Sequence, residues 1–181
     1  KGIFDYLSRH ADPQGGYLWI HASSLGEFEQ GRPLIEAIKK AQPDTKILLT
    51  FFSPSGYEVR KDYSGADLIC YLPFDLPGNV RRFLDLTKPT KAIFIKYEFW
   101  ANYLNELKRR NIPTYIVSAI FRPKQIFFRS YGGYFRRILK NFTHLYIQDE
   151  RSRQLLASIG IDNVSIVGDT RFDRVGDIRR T

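Results

Sequence analysis

The chain has 181 residues and is 43% hydrophobic and 15% aromatic, a composition that supports one substantial α/β domain with a buried core. Its single cysteine, Cys70, excludes an internal disulfide framework, and the apolar run around it indicates a buried residue rather than a nucleophile. No apolar run reaches the length of a membrane-spanning helix, and no signal peptide is recognisable. Because the chain begins with lysine and contains no methionine, we interpret it as a piece of a longer protein, which leaves room for an N-terminal anchor outside it.

The positive charge is confined to one part of the chain. Between residues 107 and 148 there is no carboxylate, and nine basic residues in that segment account for the whole net charge of +9. These residues are Lys108, Arg109, Arg110, Arg122, Lys124, Arg129, Arg136, Arg137 and Lys140. A localised basic surface favours an anionic partner.

Taken in chain order, the pattern alternates between strands and helices. Residues 1–16 are predicted to be a polar lead-in, followed by a strand at Tyr17–His21, a small-residue loop at 22–26 and a helix at 27–40. Further strands are predicted at 46–52, 67–72, 91–96, 113–118, 144–148 and 164–167. Helices are predicted between them at 57–63, 75–86 and 99–110, and a last helix is capped by Asp149 and closed by Gly160. This alternation predicts a Rossmann-like α/β fold, a mostly parallel sheet with helices on both faces.

The first candidate for chemistry is Glu27, which opens the helix after the first strand. In open α/β sheets, ligands bind outside the carboxyl ends of the strands. The helix dipole favours the ionised form of a first-turn carboxylate, which suits a general base. Small residues in the preceding loop, including Ser24 and Gly26, would let a substrate approach closely. Glutamates are common in first turns for the same electrostatic reason, so a purely structural role stays open.

Two further stretches follow strands in the same way. Glu98 comes after the strand 91–96, and it too is either a site residue or an ordinary first-turn acid. Ser53, Ser55 and Gly56 follow the strand 46–52 and could hold phosphate or sugar oxygens, although the same residues are also common in turns. The chain has no GxGxxG and no Walker loop, so nothing indicates nucleotide binding by this piece alone.

Residues 121–140 interleave six basic residues, Arg122 and Arg129 among them, with six aromatics. This mixture suits an anionic lipid at a membrane surface, or single-stranded nucleic acid, or a helix whose aromatics pack inward. The three histidines lack metal-ligand spacing, so we predict no metal. His21 at a strand end either lines the site or is a hydrogen-bonded core residue.

Five stretches together resemble the 3-deoxy-D-manno-octulosonic acid (Kdo) transferases of lipopolysaccharide synthesis. In chain order they are WIHASSLGE, LLTFFSPSG, YLPFDLPGNVRRFL, IKYEFW and VGDTRFDR, and the resemblance runs from residue 17 to residue 174. It implies the N-terminal, acceptor-side half of a GT-B glycosyltransferase. On this basis residues 17–170 are the Rossmann-like domain, residues 171–181 begin the interdomain connection, and the C-terminal domain is absent.

The resemblance also implies roles for individual residues. Glu27, in the SxGE motif, would be the general base on the acceptor hydroxyl, and Glu98, in the E-x-W motif, would stabilise the transition state. Arg171 stands where the family usually has lysine, which keeps the charge but not the shape. The implied partners are an anionic lipid A precursor, the cytoplasmic face of the bacterial inner membrane and the chain's own C-terminal domain, which would hold the donor CMP-Kdo. No cofactor and no nucleic acid are expected, and the fragment alone is expected to be inactive.

Two other functions remain open at this stage. One is a different GT-B glycosyltransferase, of the lipid A disaccharide synthase type. The other is a non-enzymatic nucleic-acid-binding domain, which the basic and aromatic residues would suit but the carboxylates at strand ends would oppose, because they repel phosphate.

Overall fold

A computed structural model describes residues 2–97 and 99–167 of the chain. The described residues form one sheet of seven parallel strands, with helices on both faces. The strands are β1 (Tyr17–His21), β2 (Ile47–Phe51), β3 (Leu68–Tyr71), β4 (Pro89–Ile95), β5 (Thr114–Ala119), β6 (His144–Ile147) and β7 (Val164–Ile166). The helices are α1 (Ile3–His10), α2 (Leu25–Ala41), α3 (Pro54–Arg60), α4 (Pro77–Thr87), α5 (Ala101–Arg109), α6 (Gly133–Leu139) and α7 (Glu150–Ser158). The Rossmann-like α/β prediction is confirmed.

The strands lie in the order β3-β2-β1-β4-β5-β6-β7. β1 is therefore central, and it pairs in parallel with β2 on one side and β4 on the other. Successive residues of β1 point to opposite faces, so Trp19 joins the core under α1, α4, α5 and α6, whereas Ile20 joins the core under α2 and α3. Every residue of β2 and β5 is buried, because both faces of the sheet are covered there, and apolar side chains predominate.

The predicted lead-in contains a helix that the sequence pattern did not predict. In α1, Leu7 is wholly buried against the same core as Trp19, while most of its neighbours in the helix are exposed. α1 is strongly amphipathic but has only eight residues, so its pattern spans little more than two turns. None of the helices in the described part of the chain is long and apolar enough to span a bilayer.

The predicted starts of α2, α3, α4 and α5 were each wrong by two or three residues. α2 begins at Leu25 rather than at residue 27, and α5 at Ala101 rather than at residue 99. α3 begins at Pro54 rather than at residue 57, because Ser53 accepts a hydrogen bond from the Ser55 amide and acts as its N-cap. α4 begins at Pro77 rather than at residue 75. Asp75 instead accepts hydrogen bonds from the amides of Asn102 and Tyr103, at 3.2 and 3.1 Å, at the start of α5.

Candidate active site

The sheet order defines where a ligand would bind. From β1 the chain continues to β2, which pairs with one side of β1. β4 follows later in the chain and pairs with the other side of β1. The carboxyl ends of β1 and β4 therefore flank a topological switch point, the place where open α/β sheets form a ligand crevice. The segments that leave the sheet there are the loop into α2 and the connection from β4 to α5.

Glu27 lies at this switch point. Ser24 is the N-cap of α2, with its hydroxyl 3.5 Å from the Glu27 amide, and the Glu27 carboxylate reaches back to accept a hydrogen bond from the Ser23 amide at 2.8 Å. This reciprocal arrangement is close to a capping box, in which the third helical residue bonds back to the chain before the helix. Glu27 is half-buried and Gly26 is exposed, so the carboxylate lies near solvent rather than in the core.

His21 is fully buried at the end of β1, and each ring nitrogen lies close to a hydroxyl. Nδ1 is 2.7 Å from Thr50 Oγ1, and Nε2 is 3.1 Å from Ser23 Oγ. Of the two possibilities that the sequence left for this residue, the structure supports a hydrogen-bonded core residue, and its partner Ser23 also contacts Glu27. Thr50 and Ser23 were not singled out from the sequence, since neither residue type is unusual in a strand or a loop.

The loop after β2 contacts the loop between β1 and α2 that contains Ser23. The backbone carbonyl of Ser23 accepts hydrogen bonds from the amides of Phe52 and Ser53, at 3.2 and 2.7 Å. The hydroxyls of Ser53 and Ser55 are 2.8 Å apart and exposed, so they are available at this edge. Gly56 is buried, and a Cβ there would lie 2.3 Å from the Phe51 ring, so this glycine allows α3 to pack closely. Its role in binding an acceptor stays a prediction.

Two residues at the carboxyl edge have backbone conformations that L residues rarely adopt. Lys96, directly after β4, has φ of 67°, and Ser118, in β5, has φ of 58°. Such conformations cost about 1–3 kcal/mol each and concentrate at functional sites. Lys96 follows β4, which flanks the switch point, and Ser118 lies in β5, the next strand of the sheet.

The segment 121–140 leaves the same edge after β5. Phe121 and Phe127 are buried and pack against the ring of Phe99, with centroids 6.0 and 4.9 Å away, so part of the segment belongs to the core. Other aromatics of the segment point to solvent: Tyr131 is 74% exposed, Tyr134 52% and Phe135 37%. Arg122 and Arg129 are exposed as well. The inward-packing alternative is therefore correct for some of the rings. The exposed rings and the exposed arginines together form a basic and aromatic surface.

Large apolar side chains are also exposed beside the β2 end. Phe52 is 41% exposed and packs between Phe74 and Trp100, with ring centroids 6.1 and 5.0 Å away. Phe74 is 69% exposed. Phe52 and Phe74 line a cavity of about 420 Å³ that α1 closes on the far side through Ile3 and Phe4. Exposed apolar patches of this kind mark binding surfaces.

Two of the predicted catalytic residues, Glu98 and Arg171, lie outside the described residues, so their roles stay predictions. Within residues 2–97 and 99–167, no group of three or more His, Cys, Asp or Glu side chains is arranged to hold a metal ion. Burial raises the pKa of the Cys70 thiol to about 12, which keeps it protonated and unreactive, as the sequence indicated.

Comparison with known proteins identifies the family. The model of the family described as 3-deoxy-D-manno-octulosonic-acid transferase (kdotransferase) matches residues 3–174, which is most of the chain. The chain belongs to this Kdo transferase family. The resemblance seen in the sequence is confirmed.

Individual relatives agree with this assignment. The Kdo transferase of Haemophilus influenzae is 29% identical over 167 residues, and that of Aquifex aeolicus is 30% identical over 159 residues. A bifunctional glycosyltransferase/methyltransferase of Fusobacterium nucleatum is 28% identical over 167 residues. These matches cover 89%, 87% and 86% of this chain but 38%, 41% and 25% of the relatives. This Kdo transferase family member thus spans at most about two fifths of these relatives.

Solved structures show the same fold at low sequence identity. The UDP-GlcNAc 2-epimerase of Neisseria meningitidis, bound to UDP-GlcNAc, matches with a TM-score of 0.63 at 16% identity. That of Rickettsia bellii matches with a TM-score of 0.63 at 17% identity. The matches cover 91% and 92% of this chain and 50% and 49% of the epimerases. The family member therefore has the fold of about half of these enzymes.

Proposed function

We propose that this chain is the acceptor-side domain of an inverting glycosyltransferase that transfers Kdo from CMP-Kdo to a lipid A precursor, with Glu27 as general base. The observation that carries the proposal is the place of Glu27 at the switch point between β1 and β4, in a chain that belongs to the Kdo transferase family. In this proposal CMP-Kdo is held mainly by a donor-binding domain that follows the chain, and no cofactor takes part.

The proposed reaction is a single displacement. The acceptor hydroxyl loses its proton to the Glu27 carboxylate as its oxygen forms a bond to the anomeric carbon of Kdo. The bond from that carbon to the phosphate oxygen breaks, and CMP leaves with the electron pair. The Ser23 amide holds one carboxylate oxygen at 2.8 Å, so the side chain is oriented before the acceptor arrives. The resemblance assigns transition-state stabilisation to Glu98 and counts Arg171 among the catalytic residues, at a position where the family usually has lysine.

The surface around Glu27 supports an anionic, acylated acceptor. Exposed Arg122 and Arg129 would pair with phosphate, and the hydroxyls of Ser24, Ser53 and Ser55 would bond to sugar or phosphate oxygens near Gly26 and Gly56. The exposed rings of Phe52 and Phe74 would cover acyl chains. Such an acceptor would bring the domain to the cytoplasmic face of the inner membrane, and nucleic acid is not an expected partner.

The test replaces Glu27 in the protein that joins this chain to its donor-binding domain. Glu27→Gln keeps the shape of the side chain and removes the base, so transfer should fall about 10²–10⁴-fold. Glu36→Gln is the matched control, because Glu36 lies on the same helix, is exposed and pairs with Arg32. Near-normal turnover of Glu27→Gln would refute the base assignment. Transfer from a UDP-sugar instead of CMP-Kdo would favour the lipid A disaccharide synthase type.

A further inference from the structure

A chain of buried polar side chains runs from the core to the loop that holds Glu27. Trp19, His21 and Thr50 are all fully buried. The Trp19 indole donates a hydrogen bond to Thr50 Oγ1 at 2.8 Å, Thr50 Oγ1 is 2.7 Å from His21 Nδ1, and His21 Nε2 is 3.1 Å from Ser23 Oγ. Buried polar groups are costly unless they are hydrogen-bonded, so these contacts constrain one another.

The chemistry of the groups fixes one direction in this chain. An indole N–H can only donate, so Thr50 Oγ1 accepts from Trp19. The Thr50 hydroxyl still has its hydrogen and a second lone pair, so it can pair with His21 Nδ1 in either tautomer of the ring. The tautomer that uses the Thr50 hydrogen has Nδ1 as acceptor and the ring hydrogen on Nε2, which is then donated to Ser23 Oγ. The far end of the chain is an indole that cannot take up a proton. This end of the chain is therefore suited to hold a geometry.

Ser23 is the point at which this chain meets the site. Its amide donates to Glu27 Oε2 at 2.8 Å, and its carbonyl accepts from the amides of Phe52 and Ser53. Its hydroxyl faces His21. The Ser23 peptide therefore orients the carboxylate, and the side chain of His21 holds the residue that provides that peptide.

We propose that His21, fixed by Thr50 and Trp19, is a positioning residue that acts through Ser23 to orient the Glu27 carboxylate. The geometric part of this inference stands by itself, and its effect on turnover rests on the proposed function of Glu27. A base that is misplaced by about 1 Å can lose as much as 10²-fold in rate.

The kinetic test uses Thr50→Val in the protein that carries the donor-binding domain. Valine has nearly the shape of threonine and lacks the hydroxyl, so Trp19 Nε1 and His21 Nδ1 lose their shared partner. We expect kcat to fall about 10–100-fold with KM within about twofold, because the base is displaced while the binding surface remains. Thr50→Ser keeps the hydroxyl and should restore most of the loss. Ser23→Ala, which lies near the surface and retains the amide, should also lower kcat with little change in KM.

A second measurement needs no substitution and no activity. Nitrogen-15 NMR of the ring of His21 in this chain should show the hydrogen on Nε2 and none on Nδ1. A hydrogen on Nδ1 would overturn the inferred direction of these hydrogen bonds. The positioning role itself would be overturned by unchanged kcat in folded Thr50→Val and Ser23→Ala when Glu27→Gln is inactive, a result that would leave the base assignment intact. An active Glu27→Gln would instead refute the base, while the NMR result would still decide the geometry.

Discussion

Tyr103 illustrates how single residues hold this domain together. Its ring lies in the core 5.6 Å from Trp19 and 5.8 Å from Phe83, and its hydroxyl donates to the Pro73 carbonyl at 2.8 Å. The ring is fully buried, so no water can replace that hydrogen bond. The bond ties α5 to the segment between β3 and α4, beside the exposed rings of the candidate site.

We predict that Tyr103→Phe lowers the free energy of unfolding by about 1–2 kcal/mol, because the Pro73 carbonyl is left buried without its donor. Urea denaturation would measure the change. Tyr131→Phe is the matched control, since Tyr131 is 74% exposed and water can replace any bond to its hydroxyl. Equal effects of the two substitutions would contradict this account of Tyr103.

Ionisation of the single residue Glu106 makes the stability of the folded chain depend on pH. Hydrogen bonds from Arg109 and, to a lesser extent, Arg110 lower the pKa of its carboxyl from 4.5 to about 2. Since the folded-state pKa is depressed, the stabilisation is present above about pH 4.5 and is lost as the pH falls towards 2. Arg109 is 67% exposed, so solvent screening limits the contribution to about 1 kcal/mol.

We therefore expect Glu106→Gln to be less stable than the parent by about 1 kcal/mol at pH 7 and nearly equal to it close to pH 2. Urea unfolding at several pH values would show the two curves converging in acid. Glu58→Gln, which removes an exposed partner of Lys61, should have little effect at any pH. A constant difference between Glu106→Gln and the parent would disprove the assignment.

Among the elements, α2 decides where Glu27 lies. Gly31 faces the sheet, and a Cβ at this position would be 2.0 Å from Cδ1 of Ile95, a fully buried residue of β4. The glycine thus lets α2 approach β4 closely. Because Glu27 is one turn earlier on the same helix, this contact also sets the position of the carboxylate over the switch point.

We predict that Gly31→Ala destabilises the domain by about 1–3 kcal/mol, because overpacking against Ile95 outweighs the gain in helix propensity of about 1 kcal/mol. Thermal unfolding would test this. Gly78→Ala is the control, since that glycine lies in the first turn of α4 with nothing within 4 Å of an added Cβ. It should be neutral or slightly stabilising, and an equal loss in both variants would contradict the packing argument.

At the scale of the whole molecule, the charge distribution is the dominant feature. The exposed cations Arg122, Lys124 and Arg129 precede α6 in the segment that leaves the carboxyl edge of the sheet, which is also the edge that carries Glu27 and the exposed rings of Phe52 and Phe74. Cations at the ends of α2 and α5, such as Lys40 and Lys108, lie at the opposite edge, because each helix runs back along the sheet. The molecule therefore has one edge that combines positive charge with apolar surface.

We expect the chain to bind vesicles that contain anionic lipid, more weakly as salt is added. The double variant Arg122→Gln/Arg129→Gln should weaken binding about tenfold or more, at about 1 kcal/mol for each charge. Lys40→Gln/Lys108→Gln changes the net charge equally and should bind like the parent. Sedimentation with vesicles would measure this. Tight binding to an oligonucleotide without binding to vesicles would favour the nucleic-acid alternative.

Much of the secondary structure of this protein can be predicted from its sequence, because side-chain periodicity and helix capping act within each element. Both faces of the sheet are covered, so a buried strand such as β2 is apolar except for Thr50 and can be recognised locally. The stripe of Tyr103, Leu104 and Leu107 predicts α5, and the Asp149 side chain, 2.8 Å from the Ser152 amide, caps α7 as predicted. The motifs around Glu27 also indicated the family that the comparisons established.

Other features were decided only by the tertiary structure, since they join residues far apart in the chain. The sheet order brings β1 between β2 and β4, which makes the end of β1 a switch point. It also brings Thr50 to His21, 29 residues away, and Asp75 to the start of α5. Local periodicity carries no information on strand order or on which distant hydroxyl meets a buried ring. Those contacts exist only after the sheet has assembled, because strand pairing places the partners within bonding distance.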